Sequence, residues 1–363
     1  MTELEKARLA INDADQKMAQ LFEIRMNAVK SVAKYKMERG IPVLDESREA
    51  EVIKRNSELI DDEVLKEYYI NFLQSNMKIS REFQHRLIKG VRVAYSGVRG
   101  AFANIAAEKI FDGGVAVAYP DFKSAYQAVV SGDCDNAVLP VENSYNGDVG
   151  QVMDLTFFGS LYINGVYDIS VVQNLAVKKD AEIGDIKKVI SHPQALGQCA
   201  EYISSKGFSA IECENTAVAA KKVADGNDKT IAAICSVDAA EKYGLKVIDK
   251  NINESSNNTT RFAVFSRTMG SSEKSDANFI MVFTVKNEAG SLGKAISIIG
   301  NNGFNLRALK SRPTKELIWS YYFYVEGEGN INSPSGKKMI EELGEICSNL
   351  KIVGSYSKEI TLK

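Results

Sequence analysis

Hydrophobic residues recur at alternating three- and four-residue steps along the first part of the chain. Between Leu4 and Val32 this spacing is typical of one long helix that packs on other helices. A break at "RGIPVLD" ends it, and a second helix is predicted to begin near Asp45, whose side chain can cap it. A third apolar-periodic segment covers roughly residues 63–87. The pattern therefore predicts an all-α helical bundle over residues 1–89.

The pattern changes after this bundle. Over residues 91–268, short β-rich runs such as "VRVAY" and "NAVLP" alternate with helical stretches such as "AYQAVVSG". This alternation predicts α/β units with a largely parallel sheet. The run "TRFAVFS" closes the region, and the small polar residues of 267–277 predict a linker. Residues 277–363 read strand, helix, strand, strand, helix, strand, which predicts a ferredoxin-like α+β (βαββαβ) domain. The chain is thus predicted to be multidomain, with three domains.

Composition narrows the class of protein. A net charge of −2 over 363 residues gives no basic field, so we expect no nucleic-acid partner. We expect no membrane partner either, because no long apolar run and no signal peptide are present. The five scattered cysteines lack C-x-x-C spacing and predict reduced thiols in the cytoplasm. With only His85 and His192, a histidine-rich zinc site is excluded, and we expect neither metal nor cofactor.

Charged residues interrupt the apolar seam of the helical bundle. Arg25 falls on the seam of the first helix, where a charge is costly unless it is paired or binds a ligand; the alternative is a polar residue that fixes helix register. Lys36 returns to within about 20° of the same side of the helix, whereas Arg8 lies about 100° away. The polar groups of the three helices predict a pocket for a small dianion. They are Arg8, Arg25, Lys36, Asp45, Arg48, Glu49, Ser80 and Gln84.

These eight positions resemble the all-helical chorismate mutases, in which three helices from each of two chains intertwine around two sites. The resemblance implies that Lys36 and Gln84 donate hydrogen bonds to the ether oxygen of chorismate, where negative charge grows in the rearrangement. It implies that Arg8 and Arg25 bind the two carboxylates and that Glu49 accepts from the ring hydroxyl. Arg8 would reach into the site of the partner chain. Asp45, Arg48 and Ser80 are expected to bind substrate.

Polar motifs in the α/β region stand where strands end and helices begin. They are "YSGVRGAF" (95–102), "LPVENSYNG" (139–147) and "SHPQALGQC" (191–199), and "NNTTRFAVF" (257–265) joins them. Ligands of open α/β sheets bind beyond the carboxyl ends of strands, where helix N-termini favour anions. Ordinary strand–helix turns and a polar loop are the alternative for each motif taken alone.

Together these motifs resemble the prephenate dehydratases over residues 91–268, a family with two α/β lobes that flank a cleft. The resemblance implies that Thr260 donates a proton or a hydrogen bond to the leaving hydroxyl of prephenate. Arg261 either shapes the site or is structural. The first loop has Ala103 and Asn104, which offer less hydrogen bonding than the residues usual there. The expected substrate-binding residues are Glu142, Asn143, Ser144, His192, Gln194, Arg261 and Phe262.

The last region resembles an ACT regulatory domain, a module that binds amino acids at domain interfaces. Its two phenylalanine-binding motifs match Gly290-Ser291-Leu292 and Ser311-Arg312-Pro313. Ser291 stands where alanine is usual and Lys310 where glutamate is usual. The resemblance implies phenylalanine as an allosteric effector, with the strength and sign of the response left open by these two deviations.

The order of the three resemblances is that of the bifunctional chorismate mutase/prephenate dehydratases. We therefore expect an enzyme that converts chorismate to prephenate and prephenate to phenylpyruvate, inhibited by phenylalanine. We also expect a homo-oligomer, either a dimer through the mutase domain or a tetramer. Two alternatives stay open: the second site prefers arogenate, or the protein is a non-catalytic amino-acid sensor.

Overall fold

The computed structural model of the protein describes residues 1–255, 257–270, 278–314, 320–357 and 360–362. In these ranges the α-helices are α1 (Glu3–Arg39), α2 (Glu46–Ser57), α3 (Glu63–Lys89), α4 (Phe102–Ile110), α5 (Phe122–Ser131), α6 (Gly150–Phe158), α7 (Pro193–Gln198), α8 (Ala200–Ser205), α9 (Thr216–Asp225), α10 (Val237–Lys242), α11 (Ser291–Asn301) and α12 (Pro334–Ile346). The strands are β1 (Arg92–Ser96), β2 (Val115–Tyr119), β3 (Asn136–Asn143), β4 (Gly147–Asp148), β5 (Tyr162–Ser170), β6 (Asn174–Val177), β7 (Lys188–Ser191), β8 (Ser209–Glu212), β9 (Ile231–Cys235), β10 (Lys246–Asp249), β11 (Thr259–Ser266), β12 (Asn278–Val285), β13 (Asn305–Pro313), β14 (Tyr321–Glu328), β15 (Cys347–Tyr356) and β16 (Ile360–Leu362). Two compact units divide the chain, Met1–Arg92 and Val93–Lys363.

The first unit consists of the three predicted helices, each with a clear start signal. A capping box between Thr2 and Glu5 opens α1, and Gly40 ends it in the left-handed conformation that glycine adopts without strain. Asp45 caps α2 by accepting from the backbone N–H of Arg48. Asp62 caps α3 in the same way. The predicted helical region is confirmed.

The apolar seam of α1 is largely uncovered. Its only buried residues are Val29 and Ala33. By contrast, Leu4, Ile11 and Leu21 are 60%, 58% and 64% exposed. A contiguous exposed apolar stripe on a helix is a feature of surfaces that pack on another chain.

The second unit contains two lobes and a C-terminal module. The first lobe comprises β1 to β5 and β11, and the second lobe comprises β6 to β10. β1 runs parallel to β3, whereas β11 lies antiparallel between β3 and β5. In the second sheet β7 is parallel to β8 and β9, and β6 is antiparallel to β9 and β10.

The prediction of a largely parallel sheet is therefore wrong, because both sheets are mixed. The chain leaves the first lobe after β5 and returns from the second lobe as β11, which enters the first sheet in the opposite direction. β5 and β6 have no counterpart in the runs predicted as strands. The predicted linker over 267–277 falls mostly on residues 271–277, which lie outside the described residues.

The C-terminal module (β12 to β15) has the predicted βαββαβ order. Its strands lie in the order β13-β14-β12-β15, and β15 and β16 then join β5 of the first lobe. Alternate residues of β12 serve two cores. Phe279, Met281 and Phe283 pack with α11 and α12, while Ile280 and Val282 belong to the core of the first lobe. The module and the first lobe thus share one hydrophobic core.

Candidate active sites

In the helical unit, the structure brings Arg25, Ser80 and Gln84 together. The guanidinium of Arg25 donates to the hydroxyl of Ser80 and, at 3.5 Å, to the carbonyl of Asn76. Burial lowers the pKa of Arg25 from its ordinary value. Ser80 and Gln84 are buried one turn apart on α3. The side-chain oxygens of Gln84 and Asn76 are buried and have no hydrogen-bond partner among the described residues. Both oxygens are therefore still able to accept a hydrogen bond.

Three further predicted mutase residues, Lys36, Asp45 and Arg48, make local contacts. Lys36 donates to the carbonyl of Val43 at 2.5 Å. Arg48 pairs with Glu51 at 2.7 Å, and both side chains are more than half exposed. Asp45 is occupied as the cap of α2, and the N–H of Arg48 holds the pKa of its carboxyl below the usual range.

Glu49 pairs with Arg81, a residue that the sequence analysis did not single out. The pair joins α2 to α3, and both side chains are 28% exposed. Arg81 directly follows Ser80, but its partner lies 32 residues away, so local spacing gave no signal for the pair.

Arg8 stands apart from this group. It is exposed on the first half of α1, 17 residues before Arg25. At 1.5 Å per residue the two lie about 25 Å apart along the helix. That distance exceeds the reach of an arginine side chain, so Arg8 and Arg25 of one chain do not meet at one small ligand.

In the second unit, a cavity of about 350 Å³ lies between the two lobes. We call it the front cavity. Four predicted residues from three motifs line it: Asn143, His192, Gln194 and Thr260. Convergence from β3, α7 and β11 makes this the candidate dehydratase site. Its further polar lining residues are Gln173, Gln198, Glu214, Asn215 and Thr216.

Asn143 and Thr260 face each other across neighbouring strands. The amide nitrogen of Asn143 donates to the hydroxyl oxygen of Thr260 at 2.9 Å. The amide oxygen of Asn143 accepts from the backbone N–H groups of Tyr145 and Asn146, which fixes the orientation of the amide. Because the Thr260 oxygen already accepts from Asn143, its own proton is left for another acceptor. Thr260 is thereby arranged as a donor at the front cavity.

Four predicted substrate-binding residues do not line the front cavity, and their contact with substrate stays a prediction. Glu142, Ser144 and Arg261 lie on the opposite face of β3 and β11, because side chains alternate across a strand. Ser144 exchanges hydrogen bonds with the backbone of residues 257 and 259. Phe262 is 1% exposed and belongs to the core.

His192 has a positional role in the front cavity. Its Nδ1 accepts from the backbone N–H of Gln194 at 3.3 Å and so caps α7. In the neutral ring, this leaves the proton on Nε2. His192 therefore offers the cavity a donor while it orients the first turn of α7.

Gln173 and Gln198 are cavity-lining residues that the sequence analysis missed. They are 2% and 7% exposed, and their side-chain oxygens have no hydrogen-bond partner within the part of the chain that the structure describes. Gln198 follows Gln194 by one helical turn, a spacing that predicts a shared face. Gln173 lies where the chain crosses between lobes, and no local pattern marked it.

The first loop contributes structure more than chemistry. Asn104 is buried and accepts from the backbone of Gly100 at 2.8 Å and from Lys242 at 2.7 Å. Lys242 also pairs with Glu108. These contacts fasten α4 to α10 of the second lobe, so the side chain of Asn104 is already used.

Helix N-termini give the front cavity its electrostatic character. None of its described lining residues is lysine or arginine. The first residues of α4, α5 and α9, which are Phe102, Phe122 and Thr216, all line it. The partial positive charge of these termini and their free N–H groups favour carboxylates. The cavity can therefore attract a small dianion without a cationic side chain, whereas the carboxylate of Glu214 in the same lining opposes that charge.

The two predicted effector motifs lie at the same end of the C-terminal module. Gly290 precedes α11, and Arg312 is in register with Tyr322 of β14, which in turn pairs with Thr284 of β12. Arg312 binds Asp154 of α6 through two hydrogen bonds of 2.9 and 3.2 Å. This contact raises the pKa of Arg312 and joins the end of β13 to the first lobe.

Two further features of the described residues concern metals and membranes. These residues contain no group of three His, Cys, Asp or Glu side chains placed to hold a metal ion. Among the described helices, none is long and apolar enough to cross a bilayer. The cytoplasmic location expected from the sequence stays a prediction.

A helical unit with a buried polar cluster, followed by a two-lobed α/β unit with an interlobe cavity, defines a two-site enzyme. Residues 7–85 match the chorismate mutase type II family, and residues 93–270 match the prephenate dehydratase family. The bifunctional chorismate mutase/prephenate dehydratase of Buchnera aphidicola (subspecies Acyrthosiphon pisum) is 30% identical over 96% of this chain and 95% of its own length. The chain belongs to the bifunctional chorismate mutase/prephenate dehydratases, enzymes of phenylalanine biosynthesis.

Two further proteins are similar to a large part of this chain. The arogenate dehydratase/prephenate dehydratase 2, chloroplastic, of Arabidopsis thaliana is 31% identical over 89% of this chain and 88% of its own. The solved structure of prephenate dehydratase in complex with L-Phe from Arthrobacter aurescens is 24% identical, with a TM-score of 0.68 over 74% of this chain and 90% of that one. The second likeness concerns the fold alone.

Proposed function

We propose that the dehydratase reaction takes place in the front cavity with Thr260 as the donor to the leaving hydroxyl. The observation that carries this assignment is the Asn143 amide, which donates to the Thr260 oxygen and leaves the Thr260 proton available. When prephenate reacts, the bond to the ring carboxylate breaks and CO2 leaves. The electron pair enters the ring, which becomes aromatic, and the C–O bond breaks. A donor at the departing oxygen stabilises the charge that develops there.

The remaining carboxylate-binding capacity of the cavity comes from amides and helix N-termini. Gln173, Gln194 and Gln198 line it, and three helices begin at it. Oriented N–H groups stabilise anions well where water is excluded. We assign these groups to the carboxylates of the substrate.

We propose that the mutase site is built around Arg25, Lys36, Ser80 and Gln84. The rearrangement of chorismate is intramolecular, so the protein needs to hold the compact conformer and to stabilise charge on the ether oxygen. Arg25 would bind a carboxylate, and Lys36 and Gln84 would donate to the ether oxygen. Glu49, Asp45, Arg48 and Arg8 complete the proposed substrate contacts as the resemblance implies.

Single substitutions should remove one of the two activities and leave the other. Thr260→Ala should reduce dehydratase kcat by on the order of 10²-fold or more, because it removes the donor, and leave mutase kcat within about twofold of the wild-type value. Lys36→Ala should do the reverse. Chorismate consumption, prephenate accumulation and phenylpyruvate formation are measured on the same purified chain. Loss of both activities from either variant in a folded protein would contradict the two-site assignment.

A second candidate substrate is arogenate, which carries an ammonium group where prephenate carries a keto group. Glu214 lines the front cavity, and no described lysine or arginine lines it. An anionic side chain favours an ammonium group. The ratio of kcat/KM for the two substrates, compared between the wild type and Glu214→Gln, decides between them: a selective loss for arogenate supports this candidate.

We propose that the C-terminal module is an ACT regulatory domain and that phenylalanine acts there as effector. Its support is the βαββαβ order and the shared end at which Gly290-Ser291-Leu292 and Ser311-Arg312-Pro313 lie. Phenylalanine can change dehydratase activity only through different affinities for two states of the chain. The division of function into residues 1–89, 91–268 and 277–363 is part of this proposal.

We propose in addition that the protein is a homodimer through its helical unit. The exposed apolar stripe of α1 supports this assembly, as does the distance between Arg8 and Arg25 along the same helix. A tetramer would add a second interface to the same dimer.

A further inference from the structure

The strands that carry Thr260 and Asn143 have a second, charged face. Glu142 and Arg261 are cross-strand neighbours, as are Asn143 and Thr260. Because successive side chains point to opposite faces, Asn143 and Thr260 line the front cavity while Glu142 and Arg261 line a cavity of about 760 Å³ behind the strands. We call this the back cavity. Its far wall is formed by β13 and β14 of the C-terminal module.

Charged side chains of the module hold the two back-face residues. Lys310 of β13 lies 2.5 Å from Asp148 and 3.2 Å from Glu142. Arg261 lies 3.0 Å from Asp168, 3.7 Å from Glu142 and 4.0 Å from Glu326 of β14. Glu142 is thus held between a lysine of the module and an arginine of the catalytic strand.

Glu326 is fixed in its own module. Its side chain is only 6% exposed, it accepts from the hydroxyl of Tyr356, and it lies 3.8 Å from Arg307. Removing one partner from a buried charge strongly destabilises a protein. One member of this set of contacts therefore cannot move alone without a large loss of stability. The pairing of β11 with β3 also has a register irregularity directly after Arg261. Such irregularities next to active sites re-aim side chains.

We propose that Lys310 and Glu326 are positioning residues of the dehydratase site. They hold Glu142 and Arg261 behind β3 and β11, and through these strands they set the distance between Asn143 and Thr260 in front. The proposal rests on the role assigned to Thr260 above. It gives Arg261 a task that does not involve contact with substrate, and it lets the regulatory C-terminal module affect the geometry of the dehydratase site from behind.

Lys310→Glu in the full chain tests the charge contact, because it sets a carboxylate against Asp148 and Glu142. A small misplacement of reacting groups mainly lowers kcat, so we expect dehydratase kcat to fall at least about tenfold with KM changed less than about twofold. The double variant Lys310→Glu/Asp148→Lys restores an opposite pair and should recover kcat to within about threefold of the wild-type value. Lys310→Arg should retain kcat. Wild-type kcat in Lys310→Glu, or no recovery in the double variant, would overturn the proposal.

Controls separate positioning from folding and from the role of Thr260. Lys338 lies on the same module, and its side chain is 68% exposed. The Lys338→Glu substitution should leave dehydratase kcat unchanged. Lys310→Met removes the charge without adding repulsion and gives an independent test if Lys310→Glu does not fold: it should lower kcat by several-fold, and unchanged kcat would contradict the proposal. If Thr260→Ala kept full activity, the role of Thr260 would fail whatever the Lys310 variants do.

Discussion

At the scale of single residues, the donor role that we propose for Thr260 depends on its neighbour. Asn143 gives its amide N–H groups to Thr260, to the carbonyl of Thr259 and to Asn258. Its oxygen is held by two backbone N–H groups. A threonine hydroxyl can both donate and accept, and only this arrangement leaves its proton for the cavity. The sequence motif identified both residues, whereas the direction of the hydrogen bond required the structure.

Asn143→Asp tests this direction with almost no change in volume. The carboxylate keeps the contacts from the backbone N–H groups of Tyr145 and Asn146 and accepts the Thr260 proton instead of donating to its oxygen. It also loses the donor contacts to the Thr259 carbonyl and to Asn258. We expect dehydratase kcat to fall by on the order of 10²-fold, since the leaving hydroxyl loses its donor. Mutase kcat of the same chain is the control. Dehydratase kcat close to the wild-type value would contradict the donor arrangement.

Asp45 gives a residue-scale prediction for stability against pH. The backbone N–H of Arg48 holds the pKa of Asp45 below its ordinary value in the folded chain. The ionised cap therefore stabilises the folded unit above the unfolded pKa of about 3.9, and this stabilisation is lost as the pH falls through the lower folded value. Asp45→Asn keeps a good cap at neutral pH and removes this titration.

The measurement is the thermal unfolding of both chains between pH 7 and pH 3. The wild type and Asp45→Asn should have similar melting temperatures at pH 7, and the wild type should lose more as the pH falls below 4. Parallel pH profiles of the two chains would show that the Asp45 charge has no stabilising contact. Asp62→Asn changes the corresponding cap of α3 and is the matched comparison.

At the scale of elements, periodicity predicted most of the fold. Long helices such as α1 and short apolar strands such as β9 carry strong local patterns. β5 was missed, because Asn164 and Gly165 interrupt its apolar run. The direction of β11 was also missed, since it depends on a return from the second lobe rather than on local sequence. Lys310 and Asp148 are 162 residues apart, so their contact had no local signal.

The junction between α6 and β13 gives an element-scale prediction. A Cβ atom on Gly150, the first residue of α6, would lie 2.7 Å from the guanidinium carbon of Arg312. Gly150→Ala should therefore displace Arg312 from Asp154 and loosen the end of β13 that carries the second effector motif. We expect the phenylalanine concentration for half-maximal inhibition of the dehydratase to rise several-fold, since the coupling between two sites is typically worth about 1–3 kcal/mol.

Gly344→Ala is the control for this junction. Gly344 lies in α12 of the same module, and, apart from the adjoining backbone of that helix, no atom of the described residues lies within 4 Å of the position its Cβ would take. This substitution should leave the phenylalanine response unchanged. An unchanged response in Gly150→Ala as well would exclude the Arg312–Asp154 contact as a link between the effector motif and the first lobe.

At the scale of the whole molecule, the two units differ in how fully they bury their apolar residues. The second unit buries its sheets in continuous cores, one of which joins Phe265 of β11 to Tyr324 and Tyr356 of the C-terminal module. The helical unit leaves much of its apolar seam exposed, including Met18 and Leu21. Sequence periodicity predicted this seam, and the described residues of one chain leave it exposed. A second helical unit is the occupant that the proposed dimer supplies.

The shared mutase site of this dimer leads to a complementation experiment. Arg8 lies about 25 Å along α1 from Arg25 and further still from Lys36, so in the proposed dimer it would reach a pocket only in the other chain. Arg8→Ala and Lys36→Ala homodimers should both be nearly inactive as mutases, because every pocket lacks one group. When the two variants are mixed and exchange subunits, a heterodimer has one pocket without both groups and one intact pocket. Since about half of the dimers are then mixed, mutase activity should return to roughly a quarter of the wild-type value per chain.

Differently tagged chains measure the exchange, and dehydratase activity should stay constant throughout. Proven exchange without recovered mutase activity would assign Arg8 to its own chain and refute the shared site.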